Sequence, residues 1–140
     1  MFKNILQKVG LATPQPINKP TTEATQRAIP TISEATDTNF SDLVLTSPKL
    51  AVVDFWAEWC QPCQIMAAYV GFLAEEYGDR LLLAALDVDE NPKTAERYFI
   101  MGLPTLLLLR NGVEVDRIVG VEEYPTIKAR VEQWLNTATS

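Results

Sequence analysis

The chain has 140 residues, a formal net charge of −6 at pH 7 and an ordinary hydrophobic content of 47%, which predicts one soluble domain with a packed core. The charge is uneven: residues 1–28 carry four basic side chains and one acidic one, which leaves −9 for the remainder. An acidic domain excludes nucleic-acid binding by bulk electrostatics. The absence of histidine removes the usual general base and the commonest metal ligand.

Residues 1–28 are predicted to be a flexible N-terminal extension of a domain that spans residues 29–140. Prolines and polar residues at 13–31 indicate a linker. Before it, four apolar side chains share one face of a short amphipathic helix: Phe2, Ile5, Leu6 and Val9. We expect residues 1–11 either to fray or to dock weakly on a membrane or a partner. With no apolar run long enough for a secretory signal or a membrane span, we expect neither export nor a transmembrane segment.

Apolar patterning predicts nine elements in the order βαβαβαββα. They cover residues 31–33, 37–45, 50–55, 62–77, 81–88, 92–99, 105–110, 113–119 and a final helix around 127–135. Continuous apolar central strands imply helices on both faces of one sheet. Asn91 is predicted to cap the helix that Pro92 begins, and Asn111-Gly112 is typical of a hairpin turn. The inward positions of the long helix are predicted to be Ile65, Met66, Tyr69, Leu73 and Tyr77.

The only two cysteines, Cys60 and Cys63, have C-x-x-C spacing between the strand at 50–55 and the start of the helix at 62–77. This spacing lets two sulfurs form and break a disulfide reversibly, and a helix start lowers the pKa of the first thiol. We therefore predict a thiol–disulfide redox site in a reducing compartment. A structural disulfide is the alternative, although closing so small a loop adds little stability. A metal site would need a second pair of ligands, so we expect none.

Residues from about 30 to 138 resemble thioredoxins. The matching residues are Asp54-Phe55-Trp56-Ala57-Glu58-Trp59-Cys60, Pro62-Cys63, Asp89, Asn91-Pro92, Gly102, Pro104-Thr105, Asn111-Gly112 and Gly120. The resemblance implies an α/β thioredoxin fold, with a central five-stranded mixed sheet flanked by four helices and a dithiol exposed at the edge of the second helix. It also implies a protein-disulfide reductase that needs no bound cofactor, because the Cys60-Cys63 disulfide itself carries the electrons.

Within this resemblance, Cys60 is the expected nucleophile and Cys63 the resolving thiol. Asp54 lies in an apolar strand, so we expect burial to raise its pKa, and the resemblance makes it the proton acceptor for Cys63. A solvated carboxylate at the strand end is the alternative for Asp54. The expected substrate-binding residues are Trp59, Gln61, Pro62, Met101, Leu103, Pro104, Gly120 and Val121.

The loop before the strand at 105–110 is expected to form the other half of the site. The resemblance implies that Pro104 is cis, which leaves the main chain of Leu103 free to pair with an extended substrate segment. Trp59, Met101 and Val121 would form a flat apolar patch, with Gly120 allowing a close approach.

Four residues depart from the common thioredoxin pattern. Gln61 replaces the glycine between the cysteines, which is expected to alter the reduction potential and the surface offered to substrates. Ala85 stands where many thioredoxins have a lysine that pairs with the buried aspartate, so Asp54 should be easier to protonate. Met101 makes the rim more apolar, and Ala68 replaces a helix-kinking proline.

The expected partners are disulfide-containing target proteins and a thioredoxin reductase, either flavin- or ferredoxin-dependent, that supplies electrons to a monomer. We expect a cytoplasmic location, with an organelle stroma as the alternative. Two other functions stay open on the sequence: a redox-gated protein-binding module, and a more oxidising, disulfide isomerase-like protein.

Overall fold

The computed structural model of the chain describes residues 31–137. The predicted extension, its amphipathic start, most of the linker and the domain boundary at residue 28 lie outside the described residues. Within them, five strands and four helices follow the predicted order. They are β1 (Ile32–Glu34), α1 (Ser41–Leu45), β2 (Leu50–Trp56), α2 (Pro62–Tyr77), β3 (Leu81–Asp87), α3 (Pro92–Arg97), β4 (Thr105–Arg110), β5 (Val113–Val119) and α4 (Tyr124–Asn136), with a short 3-10 turn at Gly78–Arg80.

The strands form one sheet in the order β1-β3-β2-β4-β5. The first three run parallel, and β4 and β5 are antiparallel to their neighbours, which confirms the mixed five-stranded sheet. Its two faces are both covered, as the continuous apolar strands predicted. One face packs on α2 and α4 through residues such as Val52, Met66 and Ile127, and the other packs on residues such as Phe40 and Val44.

The alternation of side chains along β2 determines which face receives Asp54. Leu50 and Val52 belong to the core beneath α2, whereas Ala51 and Val53 belong to the opposite core. Because successive side chains of a strand point to opposite faces, Asp54 lies on the α2 side. The sheet therefore directs this carboxyl group toward the helix that begins beside the cysteines.

The buried face of α2 differs from the prediction at one position. Met66, Leu73 and Tyr77 are buried, as expected, but Ile65 is 49% exposed. The buried positions follow a spacing of three and four residues along the helix, and Val70 belongs to this series. Ile65 precedes Met66 by one residue, which turns its side chain about 100° away from that face. The prediction for Ile65 is therefore wrong. The helix continues through Ala68 without a break.

The cap of α3 also differs from the prediction. Asn91 occupies the expected position, but its side chain makes no capping hydrogen bond to the helix. Instead, the carboxylate of Asp37 accepts hydrogen bonds from the backbone N–H of Thr94 at 2.8 Å and of Lys93 at 3.2 Å. The Asn91 side chain accepts a hydrogen bond from the Asp37 N–H at 2.9 Å. A residue from the turn before α1 thus caps a helix that begins more than fifty residues later.

Candidate active site

The two cysteines are joined by a disulfide where the loop after β2 enters α2. Cys60 precedes the helix by two residues, and Cys63 is its second residue. The N–H of Cys63 donates a hydrogen bond to the Sγ of Cys60 at 3.2 Å. This N–H is one of the first amides of the helix, which have no partner within the helix itself. The backbone therefore directs a hydrogen-bond donor and the positive end of the helix dipole at the sulfur of Cys60, which favours a thiolate there.

In the oxidised protein both cysteines are largely covered. Cys60 is 5% exposed and Cys63 is 3% exposed, so the expected exposure of the dithiol is wrong for this state. They form a small cluster with Ala57, against which the side chains of Trp56 and Leu103 pack. Little of either cysteine is therefore accessible to solvent in the disulfide form.

Asp54 is 3% exposed, and its Oδ1 has no hydrogen-bond partner within residues 31–137. Burial in this apolar setting raises the pKa of Asp54 to about 7. The predicted burial is confirmed, and the alternative of a solvated carboxylate is wrong. The strand register explains why no cation from a neighbouring strand lies beside Asp54. Its partner on the parallel strand β3 is Ala85, and its partner on the antiparallel strand β4 is Leu106.

A pocket of about 350 Å³ connects the buried carboxyl group with the disulfide. Its lining residues are Asp54, Trp56, Ala57, Glu58, Cys60, Cys63, Gln64, Ala67 and Ala85. The carboxyl group of Asp54 and the sulfur of Cys63 therefore share one cavity. Water in such a space can carry a proton between groups that are not in direct contact.

The three apolar side chains that were predicted to form a rim beside the disulfide are exposed. Trp59 is 69% exposed, and its indole Nε1–H donates to the carboxylate of Asp89 at 2.8 Å, which fixes the orientation of the ring. Met101 is 91% exposed, and Val121 is also exposed. Gln61 is exposed as well. An extended apolar segment of another protein can bury these side chains on contact.

The loop before β4 supplies the other half of the rim. The Leu103–Pro104 peptide bond is cis, as the resemblance implied. Leu103 packs against the disulfide, while the buried Pro104 accepts a hydrogen bond from the N–H of Gly120 at 2.7 Å. Gly120 has a φ of +83°, and a Cβ there would meet nothing within 4 Å. The glycine is therefore required by its backbone conformation and not by crowding inside the domain. The remaining predicted rim residue, Pro62, begins α2 and is exposed.

Three residues of this region were not predicted from the sequence. Phe99 is 76% exposed and has a φ of +54°, which is unusual for a bulky side chain. Val119 is exposed, and a Cβ placed on Gly102 would lie 3.3 Å from its Cγ1, so it borders the loop before Pro104. Asp89 orients Trp59. The sequence predicted Phe99 as the end of a helix over residues 92–99 and offered no signal for its exposure.

No group of three or more cysteine, aspartate or glutamate side chains within residues 31–137 is arranged to hold a metal ion. Likewise, none of the helices described is both long and apolar enough to span a membrane.

Comparison with known proteins identifies the family. The thioredoxin family model matches residues 31–133. Thioredoxin 2 of Chlorobaculum tepidum is 47% identical over 87 residues, which cover 62% of this chain and 80% of that protein. Thioredoxin of Chlorobaculum thiosulfatiphilum is 40% identical over 100 residues, covering 71% of this chain and 93% of that protein. The chloroplastic M-type thioredoxin of Pisum sativum is 34% identical over 110 residues, covering 79% and 64% respectively. With its disulfide-bonded C-x-x-C pair and its five-stranded mixed sheet, the chain belongs to the thioredoxin family and is a thiol–disulfide oxidoreductase.

Proposed function

We propose that the protein reduces protein disulfides through two successive thiol exchanges. The Cys60 thiolate attacks one sulfur of the target disulfide, forms a mixed disulfide and releases the other target sulfur as a thiolate that takes up a proton. The Cys63 thiolate then attacks the Sγ of Cys60, which expels the second target thiolate and leaves the Cys60-Cys63 disulfide. Two electrons pass to the target, and no bound cofactor takes part. The N–H of Cys63 directed at the Cys60 sulfur supports this assignment of roles.

In this proposal Asp54 accepts the proton of the Cys63 thiol before the second exchange. The shared pocket supports a transfer through water. A base whose pKa is about 7 exchanges protons most effectively near neutral pH. Replacing Asp54 with alanine should therefore slow resolution and change the dependence of the rate on pH. An unchanged rate–pH profile in Asp54→Ala would contradict the role.

The rim is proposed to hold the target while these exchanges occur. Trp59, Met101 and Val121 supply apolar contact, and the main chain of Leu103 pairs with an extended target segment. Gln61, Pro62, Pro104 and Gly120 shape the same surface. Because Asp89 fixes the Trp59 ring by a 2.8 Å hydrogen bond, little ordering of that ring remains to be done on binding.

The single observation that carries the proposal is the disulfide beside a buried carboxyl group. The test uses two matched variants and a protein disulfide substrate. Cys63→Ser should accumulate a covalent mixed disulfide that a reducing agent releases, whereas Cys60→Ser should form none. Trapping by Cys60→Ser and not by Cys63→Ser would reverse the roles of the two cysteines.

The reduction potential separates a reductase from a more oxidising, isomerase-like protein. The midpoint of the Cys60-Cys63 pair, measured in a glutathione or dithiothreitol series, should lie nearer to about −270 mV than to about −180 mV, the values for thioredoxin and protein disulfide isomerase. The same measurement on Gln61→Gly tests whether the residues between the two cysteines influence the reduction potential.

We propose that a thioredoxin reductase supplies the electrons and that this enzyme is either flavin-dependent or ferredoxin-dependent. Comparing the rates at which the two types reduce the Cys60-Cys63 disulfide identifies the donor. We also propose that the protein acts as a monomer, which light scattering of the full chain measures. The proposed location is the cytoplasm, or a stroma like that of the chloroplastic relative.

The breadth of the exposed apolar rim supports a second function, that of a redox-gated binding module. In that case a Cys60→Ser/Cys63→Ser protein would still restore the cellular phenotype of a deletion strain. Loss of complementation in this double variant favours the reductase.

A further inference from the structure

The pocket above Asp54 has the features of a binding site in its own right. It measures about 350 Å³, and most of its walls are apolar or small side chains, among them Trp56, Ala57, Ala67 and Ala85. Asp54 lies on its wall with 3% of its surface exposed and with an Oδ1 that has no hydrogen-bond partner in the described chain. An unpartnered buried carboxyl group is costly, and a ligand that donates hydrogen bonds to it recovers that cost.

The small side chain of Ala85 gives the pocket its shape on the sheet side. Leu83 of β3 belongs to the core beneath α2, and Ala85, two residues further, points to the same face as Asp54. The two residues are direct partners in the strand register. A longer side chain at residue 85 would therefore extend into the space beside the carboxyl group.

The charges around the pocket are of one sign. Glu58 lines its outer part, and the other ionisable groups on its wall are Asp54 and the two cysteines, which are joined in the disulfide. A second, smaller pocket of about 160 Å³ shares Trp56 and Ala85 with the first and is also lined by Glu34 and Asp87. No lysine or arginine of residues 31–137 lines either pocket.

We propose that this pocket binds an alkylammonium group, with the ammonium on the carboxylate of Asp54 and the methylene chain against Ala67, Ala85 and Trp56. The same chemistry is presented by a lysine side chain of a target protein and by a free small amine. A primary ammonium supplies both the charge and the donors that the carboxylate lacks, while its chain matches the apolar walls. A quaternary ammonium would supply only the charge.

The binding has a thermodynamic consequence for the proton on Asp54. A ligand that prefers the ionised carboxylate lowers the pKa of that group, and deprotonation strengthens binding by the same factor. An opposite charge within hydrogen-bonding distance shifts such a group downward by about 1 to 3 pH units. The cation would thus keep Asp54 ionised at neutral pH, and the lowered pKa would at the same time make its carboxylate a weaker base.

The test is a carbon-detected NMR titration of the Asp54 carboxyl group in the oxidised full-length protein, with n-butylammonium chloride as the probe. The titration midpoint should fall by at least about 1 pH unit at saturation. Sodium chloride, n-butanol and tetraethylammonium chloride are the controls for ionic strength, for the apolar chain and for charge without donors. A midpoint that does not move, or that moves equally with tetraethylammonium, would overturn the proposal.

Matched variants locate the binding. Ala85→Leu and, independently, Ala67→Leu reduce the space beside the carboxyl group and should each weaken n-butylammonium binding at least tenfold. Glu58→Gln, which alters only the outer wall, should change it less than the filling variants do. Equal binding in the wild type and in folded Ala85→Leu or Ala67→Leu protein places the cation elsewhere and refutes the site.

Two competition arms separate the sources of the ammonium group. Displacement of n-butylammonium by a lysine-containing peptide, and not by its norleucine counterpart, indicates a target side chain, whereas displacement by neither peptide indicates a free amine. Equal displacement by both peptides would show that the ammonium group is not recognised and would overturn the proposal. Both arms use the disulfide form and measure binding alone. The ammonium site therefore stands or fails separately from the proposed reductase roles of Cys60, Cys63 and Asp54.

Discussion

Replacing Asp54 with asparagine should make the oxidised protein more stable at alkaline pH. The pKa of Asp54 is raised by burial from 3.8 to about 7 in the folded protein. At a pH below the unfolded-state pKa, Asp54 is protonated in both states and does not affect stability. Between the two pKa values Asp54 is ionised only in the unfolded chain, so the free energy of unfolding falls as the pH rises. Above the folded-state pKa the full loss of stability is present. A shift of about 3 pH units at 1.36 kcal/mol each corresponds to about 4 kcal/mol.

Asparagine also buries a polar group, but its cost does not vary with pH. The difference in unfolding free energy between Asp54→Asn and the wild type should therefore grow by about 4 kcal/mol in favour of the variant between pH 4 and pH 8. In urea this corresponds to a relative change in midpoint of about 1 to 4 M. The assay is urea unfolding of both oxidised proteins, followed by far-ultraviolet circular dichroism at each pH.

The matched control is Asp79→Asn, which alters an exposed carboxylate on the turn after α2. Because residue 79 is exposed, this variant tests whether loss of a carboxylate that is not buried produces the same effect. A difference between Asp54→Asn and the wild type that changes by less than about 1 kcal/mol from pH 4 to pH 8 would refute the argument from burial.

Three further changes follow from contacts away from the disulfide. Asp37→Ala should lower the unfolding free energy by about 1 to 2 kcal/mol in urea, because the N–H of Thr94 loses its cap; an unchanged midpoint would contradict that role. Phe99→Gly should raise the free energy of unfolding by about 0.5 to 1 kcal/mol in thermal unfolding, because a φ of +54° strains phenylalanine but not glycine. A lower Tm would show instead that the phenylalanine side chain stabilises the fold. Asp116→Asn should lose about 1 to 2 kcal/mol at pH 7, because Arg130 donates to both carboxylate oxygens, at 2.7 and 2.6 Å. The Arg130 hydrogen bonds lower the pKa of Asp116. The loss of stability should therefore disappear in acid, where Asp116 of the wild type is itself protonated and uncharged. A loss that persists in acid would show that it comes from side-chain packing and not from the charge.

The sequence predicted the features that depend on local patterns. The order of nine elements, the Asn111-Gly112 hairpin and the burial of Asp54 all follow from runs of apolar residues and from turn chemistry. Contacts between distant segments carried no such signal. The cap that Asp37 provides could not be predicted from the sequence. Capping residues are normally sought next to the helix that they cap, and the residues near α3 do not indicate that its acceptor comes from a distant segment.

The covering of the disulfide likewise depends on how separate loops meet. Leu103, which packs against the disulfide, lies more than forty residues after Cys60 in the sequence. Phe99 was missed because a positive φ at a phenylalanine contradicts the ordinary preference of that residue. Ile65 was predicted to be buried together with Met66 because both are apolar, whereas the register of the helix buries only Met66.

The hydrogen bonds between Asp37 and Thr94 also bear on the order of events during synthesis. The two residues are separated by 57 positions. At 5 to 20 residues per second, a ribosome needs roughly 3 to 11 s to add that length of chain. Helix α3 has only six residues, too few to persist alone in water. During synthesis, Asp37 therefore lacks its hydrogen-bond partner until Thr94 has been added. Helix α3 becomes stable only when the turn that contains Asp37 is positioned to cap it.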